Sequence, residues 1–299
     1  MAWIPYSGVH LCARHFVQRF ESRALWAVEK LGMIRRGERV AVAVSGGKDS
    51  LALLRLLSKH RDRLSIELVA VLIDEGIRGY RPRKVEAAER YAREWGVELV
   101  VRSFRDLLGL TLDEAVARLM EGGLRYKPCT VCGVFRRYAL NAVALELGAD
   151  KLATAHNLDD EVQAFLLNMA QASFAAIARE GAATPRSHPK LVPRVKPFYF
   201  IPEKEVLVYA LLQGIETPEV ECPYIVYSTR HVFRRWLNAV AEMDPTVKHR
   251  VMALKVMVSG RVEAPREPLR SCTLCGMPAS KGVCKACELR GYLSSVAKA

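Results

Sequence analysis

Val40-Ala41-Val42-Ala43-Val44-Ser45-Gly46-Gly47-Lys48-Asp49-Ser50 is the stretch on which the architecture turns. Five apolar residues run without a polar break into Ser-Gly-Gly, and Leu51-Ala52-Leu53-Leu54 follow at once. A continuous apolar run of this kind reads as a strand buried on both faces, as in a parallel sheet. The two glycines permit a tight turn and let the main chain approach a ligand closely. Asp49 and Ser50 then open a helix. A strand, a loop of free N–H groups and a helix N-terminus together form an anion site. An ordinary structural corner needs none of the polar groups of Ser45, Lys48, Asp49 and Ser50. The loop is not a Walker A motif, which places four residues between its glycines and Ser or Thr after its lysine.

Outward from this stretch, strands and helices alternate. Helical spacing runs from Phe16 to Arg36, and strands are expected at 39–45, 66–73, 97–102 and 151–154, with a short one at 191–195. Helices are expected between them, one running from Ala155-His156-Asn157-Leu158-Asp159-Asp160-Glu161 to about Arg179. Residues 228–243 form a basic helix carrying Arg230, Arg234 and Arg235. The alternation predicts an α/β fold with a doubly wound parallel sheet. Three segments are expected: 1–36, a partial zinc-finger-like module and basic helix; 37–258, the nucleotide domain; and 259–299, a cysteine-bearing end.

The 299 residues, 51% apolar and 26% charged, describe a soluble globular chain. No run of 18 apolar residues exists and the N-terminus lacks the pattern of a signal peptide, so a cytoplasmic protein without a membrane span is expected. Lys and Arg outnumber Asp and Glu by 45 to 32, a formal charge of +13, which suits a polyanion such as nucleic acid.

Eight cysteines in a reducing compartment point to metal or catalysis. Cys272-x2-Cys275-x8-Cys284-x2-Cys287 has the spacing of a structural four-thiolate zinc site, with no open position for chemistry. Cys129 and Cys132 form an isolated C-x-x-C, and Cys222 stands alone. Spacing leaves three readings of these open: a redox disulfide, a persulfide carrier, or a cluster with one iron free of protein ligand. Cys12 and His15 supply two possible metal ligands, which do not by themselves make a zinc site.

Ser45-Gly46-Gly47-Lys48-Asp49-Ser50 resembles the PP-loop of the ATP pyrophosphatases. Together with Cys129-Thr130-Val131-Cys132-Gly133, the segment 155–161, Cys222-Pro223-Tyr224 and the cysteine-bearing ends, the chain resembles the tRNA-thiolation enzymes of the TtuA/TtcA branch, closest to TtuA. The resemblance implies a PP-loop ATP pyrophosphatase domain with small zinc-binding terminal modules. It implies that Cys129, Cys132 and Cys222 hold a 4Fe–4S cluster whose fourth iron takes the incoming sulfur. ATP then adenylates the C2 oxygen of a tRNA uridine, AMP is displaced by sulfur, and pyrophosphate is released. The nucleotide would contact Ala43, Ser45, Gly46, Gly47, Lys48, Asp49, Ser50, Ile73, Arg136, Ala155 and Asp160. Asp160 would orient Mg2+ or the ATP phosphates, and Lys48 and Arg136 would neutralise phosphate. Asp159 and Glu161 serve equally well as charges at a helix N-terminus. Arg136 stands where the family often has Lys, and Ala155 where it usually has Gly.

The resemblance also implies a homodimer and a ubiquitin-like sulfur donor with a C-terminal thiocarboxylate. Leu11-Cys12-x2-His15-Phe16 favours 2-thiouridine, or 5-methyl-2-thiouridine, in the T loop; the alternative is the wobble uridine, whose enzymes tend to have Cys in place of His15. A reading of another class is a non-catalytic zinc-containing RNA-binding protein, against which the intact Ser45–Ser50 motif argues. The family's N-terminal finger opens with a C-x-x-C that no residue before Cys12 supplies, and too little chain precedes Cys12 for a paired strand carrying one. The expectation is either a lost finger or an in-frame C-x-x-C just upstream.

Overall fold

The computed structural model describes residues 2–262 and 268–296. The chain opens with a small antiparallel hairpin, β1 (Ala2–Ile4) and β2 (Val9–Leu11), and the helix α1 (Ala13–Lys30). Then come β3 (Arg39–Ala43), α2 (Lys48–Leu64), β4 (Glu67–Asp74), α3 (Arg81–Glu94) and β5 (Glu98–Ser103). The chain returns through α4 (Phe104–Leu108), α5 (Leu112–Glu121) and α6 (Pro128–Glu146) to β6 (Lys151–Ala153). After α7 (Leu158–Ala170) and α8 (Phe174–Ile177) it adds the edge strand β7 (Arg194–Val195). The helices α9 (Glu203–Leu212), α10 (Arg230–Met243) and α11 (Val247–Ser259) follow. A last module pairs β8 (Arg270–Ser271) with β9 (Pro278–Ala279) and ends in α12 (Lys285–Val296).

The central sheet is parallel throughout, in the order β5-β4-β3-β6-β7. Along β3, Val40 and Val42 face one core and Ala41 the other, and all are buried completely. This is why the stretch carries no polar alternation. The chain leaves β3 toward β4 on one side and comes back to β6 on the other. The loops after β3 and β6 therefore diverge, opening the crevice that doubly wound sheets use for ligands.

Several boundaries differ from expectation. α1 ends at Lys30, six residues early, because Leu31-Gly32 closes the helix and Gly32 turns at φ +56°. The helix expected to reach Arg179 breaks at Ala172, which adopts φ +49°, and α8 is a separate turn. The ten residues before Cys12 do close a hairpin, so a paired strand fits there, though without a C-x-x-C. The expected strand 191–195 is reduced to Arg194–Val195. Residues 263–267 of the expected linker lie outside the described residues. The C-terminal module is joined to the main body: Leu289 and Leu293 of α12 are completely buried in the core that contains α5 and α6.

Candidate nucleotide and sulfur site

The turn after β3 is built around two serines. Ser50 Oγ accepts the Ser45 N–H at 3.0 Å, lies 3.1 Å from Ser45 Oγ, and donates to the Gly47 carbonyl at 2.9 Å. Gly46 sits at φ +74°, and a Cβ there would stand 2.0 Å from the Lys84 carbonyl oxygen. Any side chain at 46 is thus excluded on two counts. Gly47, the residue before α2, has no such crowding, and no side chain caps the first N–H groups of α2, which leaves them available to a ligand.

This turn borders a crevice of about 430 Å3. Of the expected nucleotide residues, Ala43, Ser45, Asp49, Ser50, Ile73, Arg136, Ala155 and Asp160 line it. Gly46, Gly47 and Lys48 lie beyond that lining. Lys48 Nζ instead sits 2.9 Å from Asp49 Oδ2 and 3.0 Å from Glu203 Oε1. Burial pulls its pKa down, but the two carboxylates outweigh it and hold the ammonium above its usual range. Burial raises the Asp49 carboxyl against the opposing pull of Lys48.

The three acids that open α7 have separate fates. Asn157 and Asp160 form a reciprocal cap, and Asp160 turns its other oxygen toward Arg230 at 3.8 Å. Enclosure raises its pKa, with Arg230 and the Asn157 N–H opposing. Asp159 is buried, pairs with Lys248, and accepts the Glu203 N–H at 2.8 Å. Glu161 is buried between Lys196, at 2.7 Å, and the fully buried Lys255. Asp159 and Glu161 therefore tie α7 to α11 and to the strand-end loops, while Asp160 alone faces the crevice.

Sequence reasoning missed Glu75 and Arg81. Arg81 is 3% exposed and donates to the Ser45 carbonyl at 2.9 Å and to the Ile73 carbonyl. Its Nε lies 2.6 Å from Glu75 Oε2 but its N–H is not aimed at it, so the contact is an ion pair without a hydrogen bond. Glu75, 2% exposed, also faces Arg136 Nη1 at 3.6 Å. A buried Arg81-Glu75 pair thus links the ends of β3 and β4 to a second guanidinium, Arg136, on α6. Arg137, Arg194 and Arg230 complete the crevice wall; of these, only Arg230 stood out in the sequence, as part of a basic helix.

The first turn of α6 carries Cys129 and Cys132. Cys129 Sγ donates to the Tyr224 carbonyl at 3.2 Å, which brings the turn bearing Cys222 against α6. All three are free, half-buried thiols. Burial pushes Cys132 up to about 11 despite the opposing Arg136, and Cys129 and Cys222 are raised by burial as well. Among the described residues, the one group of three or more potential ligands gathered within 4.8 Å is Cys272, Cys275, Cys284 and Cys287. Cys129, Cys132 and Cys222 thus share one neighbourhood but do not close on a single ion. That spread fits the corners of a cluster, which offers separate irons to separate thiolates.

The C-terminal quartet fits one tetrahedral ion. Cys275 and Cys284 sulfurs are 3.7 Å apart, close to the roughly 3.8 Å that Zn–S bonds of about 2.3 Å impose. Cys284 N–H donates to Cys272 Sγ at 3.2 Å. At the other end, Cys12 Sγ and His15 Nδ1 lie 3.2 Å apart and exposed, with no further ligand among the described residues.

The PP-loop domain model matches residues 17–238. A tRNA-5-methyluridine(54) 2-sulfurtransferase of Thermus thermophilus is 37% identical over 94% of this chain and 85% of its own. The chain belongs to the PP-loop family of tRNA-thiolation enzymes. A probable sulfurtransferase of Methanocaldococcus jannaschii is 35% identical over 95% of this chain and 82% of its own. Among solved structures, the U34-tRNA thiolase NcsA from Methanococcus maripaludis, with its 4Fe–4S cluster, matches at a TM-score of 0.82 and 30% identity, covering 97% of this chain and 92% of that one. This PP-loop protein thus combines the expected parallel sheet, the Ser45–Ser50 loop and the C-terminal cysteine quartet in one body.

Proposed function

We propose that this PP-loop protein is an ATP-dependent tRNA-uridine 2-sulfurtransferase. The observation that carries the reading is that the first residues of α2, Asp49 and Ser50, and the part of α6 that follows its two cysteines line one crevice, with Gly133 and Arg136, one and four residues after Cys132, in its wall. ATP takes its pyrophosphate to the α2 N-terminus, with the adenosine toward Ala43 and Ile73. The uridine O2 attacks the α-phosphorus, the bond to the bridging oxygen breaks, and pyrophosphate leaves. A carbonyl oxygen becomes the leaving group AMP, and sulfur takes its place at C2. Arg136, anchored by Glu75, neutralises charge on the α-phosphate. Asp160, the one acid of the three opening α7 that faces the crevice, would supply a carboxylate ligand to Mg2+.

Cys129, Cys132 and Cys222 would hold a 4Fe–4S cluster, which supplies an iron without a protein ligand as the place where sulfur is delivered. Cys272, Cys275, Cys284 and Cys287 would hold structural Zn2+. A ubiquitin-like thiocarboxylate carrier as sulfur donor and a homodimer complete the proposal, both resting on the family resemblance. No helix among the described residues is long and apolar enough to cross a membrane; a cytoplasmic site of action rests on the family resemblance.

The T-loop uridine is the preferred target, supported by the 37% identical Thermus relative and by His15 beside Cys12. The wobble uridine is the second reading, favoured by the structural likeness to NcsA. Anaerobic reaction of the cluster-loaded protein with ATP, sulfide and unmodified tRNA, followed by position-mapped nucleoside mass spectrometry, tests both. ATP-dependent 2-thiouridine in the T loop is expected. Thiouridine only in the anticodon overturns the T-loop assignment, and no thiouridine at all overturns the function.

A further inference from the structure

Arg137, Arg194 and Arg230 line the same crevice as the Ser45–Ser50 loop. They come from three elements: the third turn of α6, the edge strand β7 and the start of α10. Among the described residues, no carboxylate lies within 4.0 Å of Arg137 or Arg194, and neither guanidinium makes a side-chain hydrogen bond. Arg230 has one carboxylate, Asp160, at 3.8 Å, which leaves most of its donors unused. The contrast with a neighbour is sharp: Lys196, two residues from Arg194, is neutralised by Glu161 at 2.7 Å. Guanidiniums gathered in this way repel one another. Such an arrangement calls for an anion.

Position separates this anion from the pyrophosphate. β7 lies two strands from β3, about 10 Å across the sheet at the usual strand spacing. Ile73, on the adenosine side in the reading above, lies on β4, the opposite neighbour of β3. Arg137 reaches back along α6: its Nη1 would be 3.4 Å from a Cβ on Gly133, the residue after Cys132. Arg137 and Arg194 therefore lie toward the sulfur-bearing turn and the β7 edge of the crevice, with Arg230 next to them beside Asp160. A base presented for chemistry must be drawn out of its stack, and contacts to its backbone hold it there.

We propose that Arg137, Arg194 and Arg230 form a phosphodiester-binding subsite that seats the RNA backbone beside the uridine being modified. The inference rests on the tRNA reading above and deepens it. The same chemistry would accept a phosphate of ATP, and the experiment separates the two sources. Arg137→Gln, Arg194→Gln and the double variant are compared with the wild-type protein for tRNA affinity between 50 and 300 mM salt. ATP affinity is measured separately, without tRNA. The expected result is a salt slope shallower by about 0.7–0.9 per arginine removed, with ATP affinity within twofold of wild type, which also reports an intact fold. Arg194→Lys should restore the slope, since it keeps the charge. Arg63, paired with Glu29 at 3.0 Å near the far end of α2, supplies the control: Arg63→Gln should leave the slope unchanged.

Three results would overturn the subsite: unchanged slopes in both single variants, a loss of ATP affinity with the tRNA slope intact, or an equal loss in Arg63→Gln. If the wild-type protein binds tRNA with the expected slope but makes no thiouridine, the subsite stands and the catalytic reading fails.

Discussion

Replacing Glu75 with Gln tests whether the buried pair beneath the crevice organises the site. Glu75 is 2% exposed and faces two guanidiniums of unequal standing. Arg136 Nη1 is 3.6 Å away on a half-exposed side chain, so its loss costs at most about 1 kcal/mol. Arg81 is 3% exposed with Nε at 2.6 Å, and a buried charge stripped of its partner costs about 3–5 kcal/mol. Gln keeps the shape and one acceptor, which sets the expectation at the low end, about 3 kcal/mol. For a protein of this size that is a fall in Tm of about 5 °C. Arg81→Met should cost more, because Arg81 also holds the Ser45 and Ile73 carbonyls. The double variant should then be no less stable than Arg81→Met alone, because the uncompensated carboxylate is removed with it. The assay is urea unfolding under anaerobic conditions at matched metal content, paired with ATP affinity. A Glu75→Gln protein within about 0.5 kcal/mol of wild type, or a double variant whose cost is the sum of the singles, refutes the reasoning.

Cys129→Ala, Cys132→Ala and Cys222→Ala should each abolish the cluster and thiolation in anaerobically prepared protein; full iron content and activity in Cys222→Ala would remove it from the ligand set. Lys48→Ala or Ser45→Ala should slow adenylation by about 100-fold or more while tRNA affinity is retained, as read by pyrophosphate release and by tRNA binding. Cys284→Ser or zinc chelation should detach α12 and expose Leu289 and Leu293, which are completely buried, at about 1.5–3 kcal/mol for each leucine; limited proteolysis within 268–296 reports it. Burial alone would raise Glu161, but Lys196 and Lys255 outweigh it and hold its pKa below the usual value. Its contribution is therefore present above the unfolded value of about 4.3 and lost as pH falls through the lower folded value. The gap in stability between wild type and Glu161→Gln should be wide at pH 7 and shrink at low pH, and a gap that widens on acidification would reverse the assignment.

The sheet was legible because its signal is local. The apolar run 40–44 has no polar break, and its valines and alanines fill two cores. Gly46 was legible as a turn, but the close approach of the Lys84 carbonyl that also demands it was not. The Arg81-Glu75-Arg136 link left no trace in the sequence, since its third member lies 55 or more residues from the other two and no periodicity relates them. Asp159 and Glu161 could not be distinguished from Asp160 by position, because all three open one helix; their partners Lys248, Lys196 and Lys255 come from distant segments. The break at Ala172 was hidden for another reason. The apolar residues of α7 and α8 continue one helical rhythm, and only tertiary packing selects the left-handed turn between them.

The spacing along α6 explains how one element serves two chemistries. Cys129, Cys132, Gly133, Arg136, Arg137 and Leu140 recur at three- and four-residue intervals, which places them on one helical stripe. The opposite stripe, Val131, Phe135 and Ala139, is completely buried. The buried stripe fixes the rotation of the helix, and the rotation fixes the order along the other face: thiols first, then the guanidiniums and Leu140 that line the crevice. Cys132 and Arg136 are one turn apart, about 6 Å of helix rise. In the proposed reaction, sulfur must reach C2 while the adjacent O2 is bonded to the α-phosphate, so the sulfur source and the cation that neutralises the phosphate must stand a short, fixed distance apart. A rigid helix sets that distance before any substrate arrives, so positioning is built into the fold and need not be assembled during turnover. Pro128, in the first turn, gives the same helix its start, and the two thiols sit in that turn, at the positive end of its dipole. The C-x-x-C pair thus fits a helix N-terminus facing a crevice better than a loop, because only the helix holds both thiols in register with Arg136.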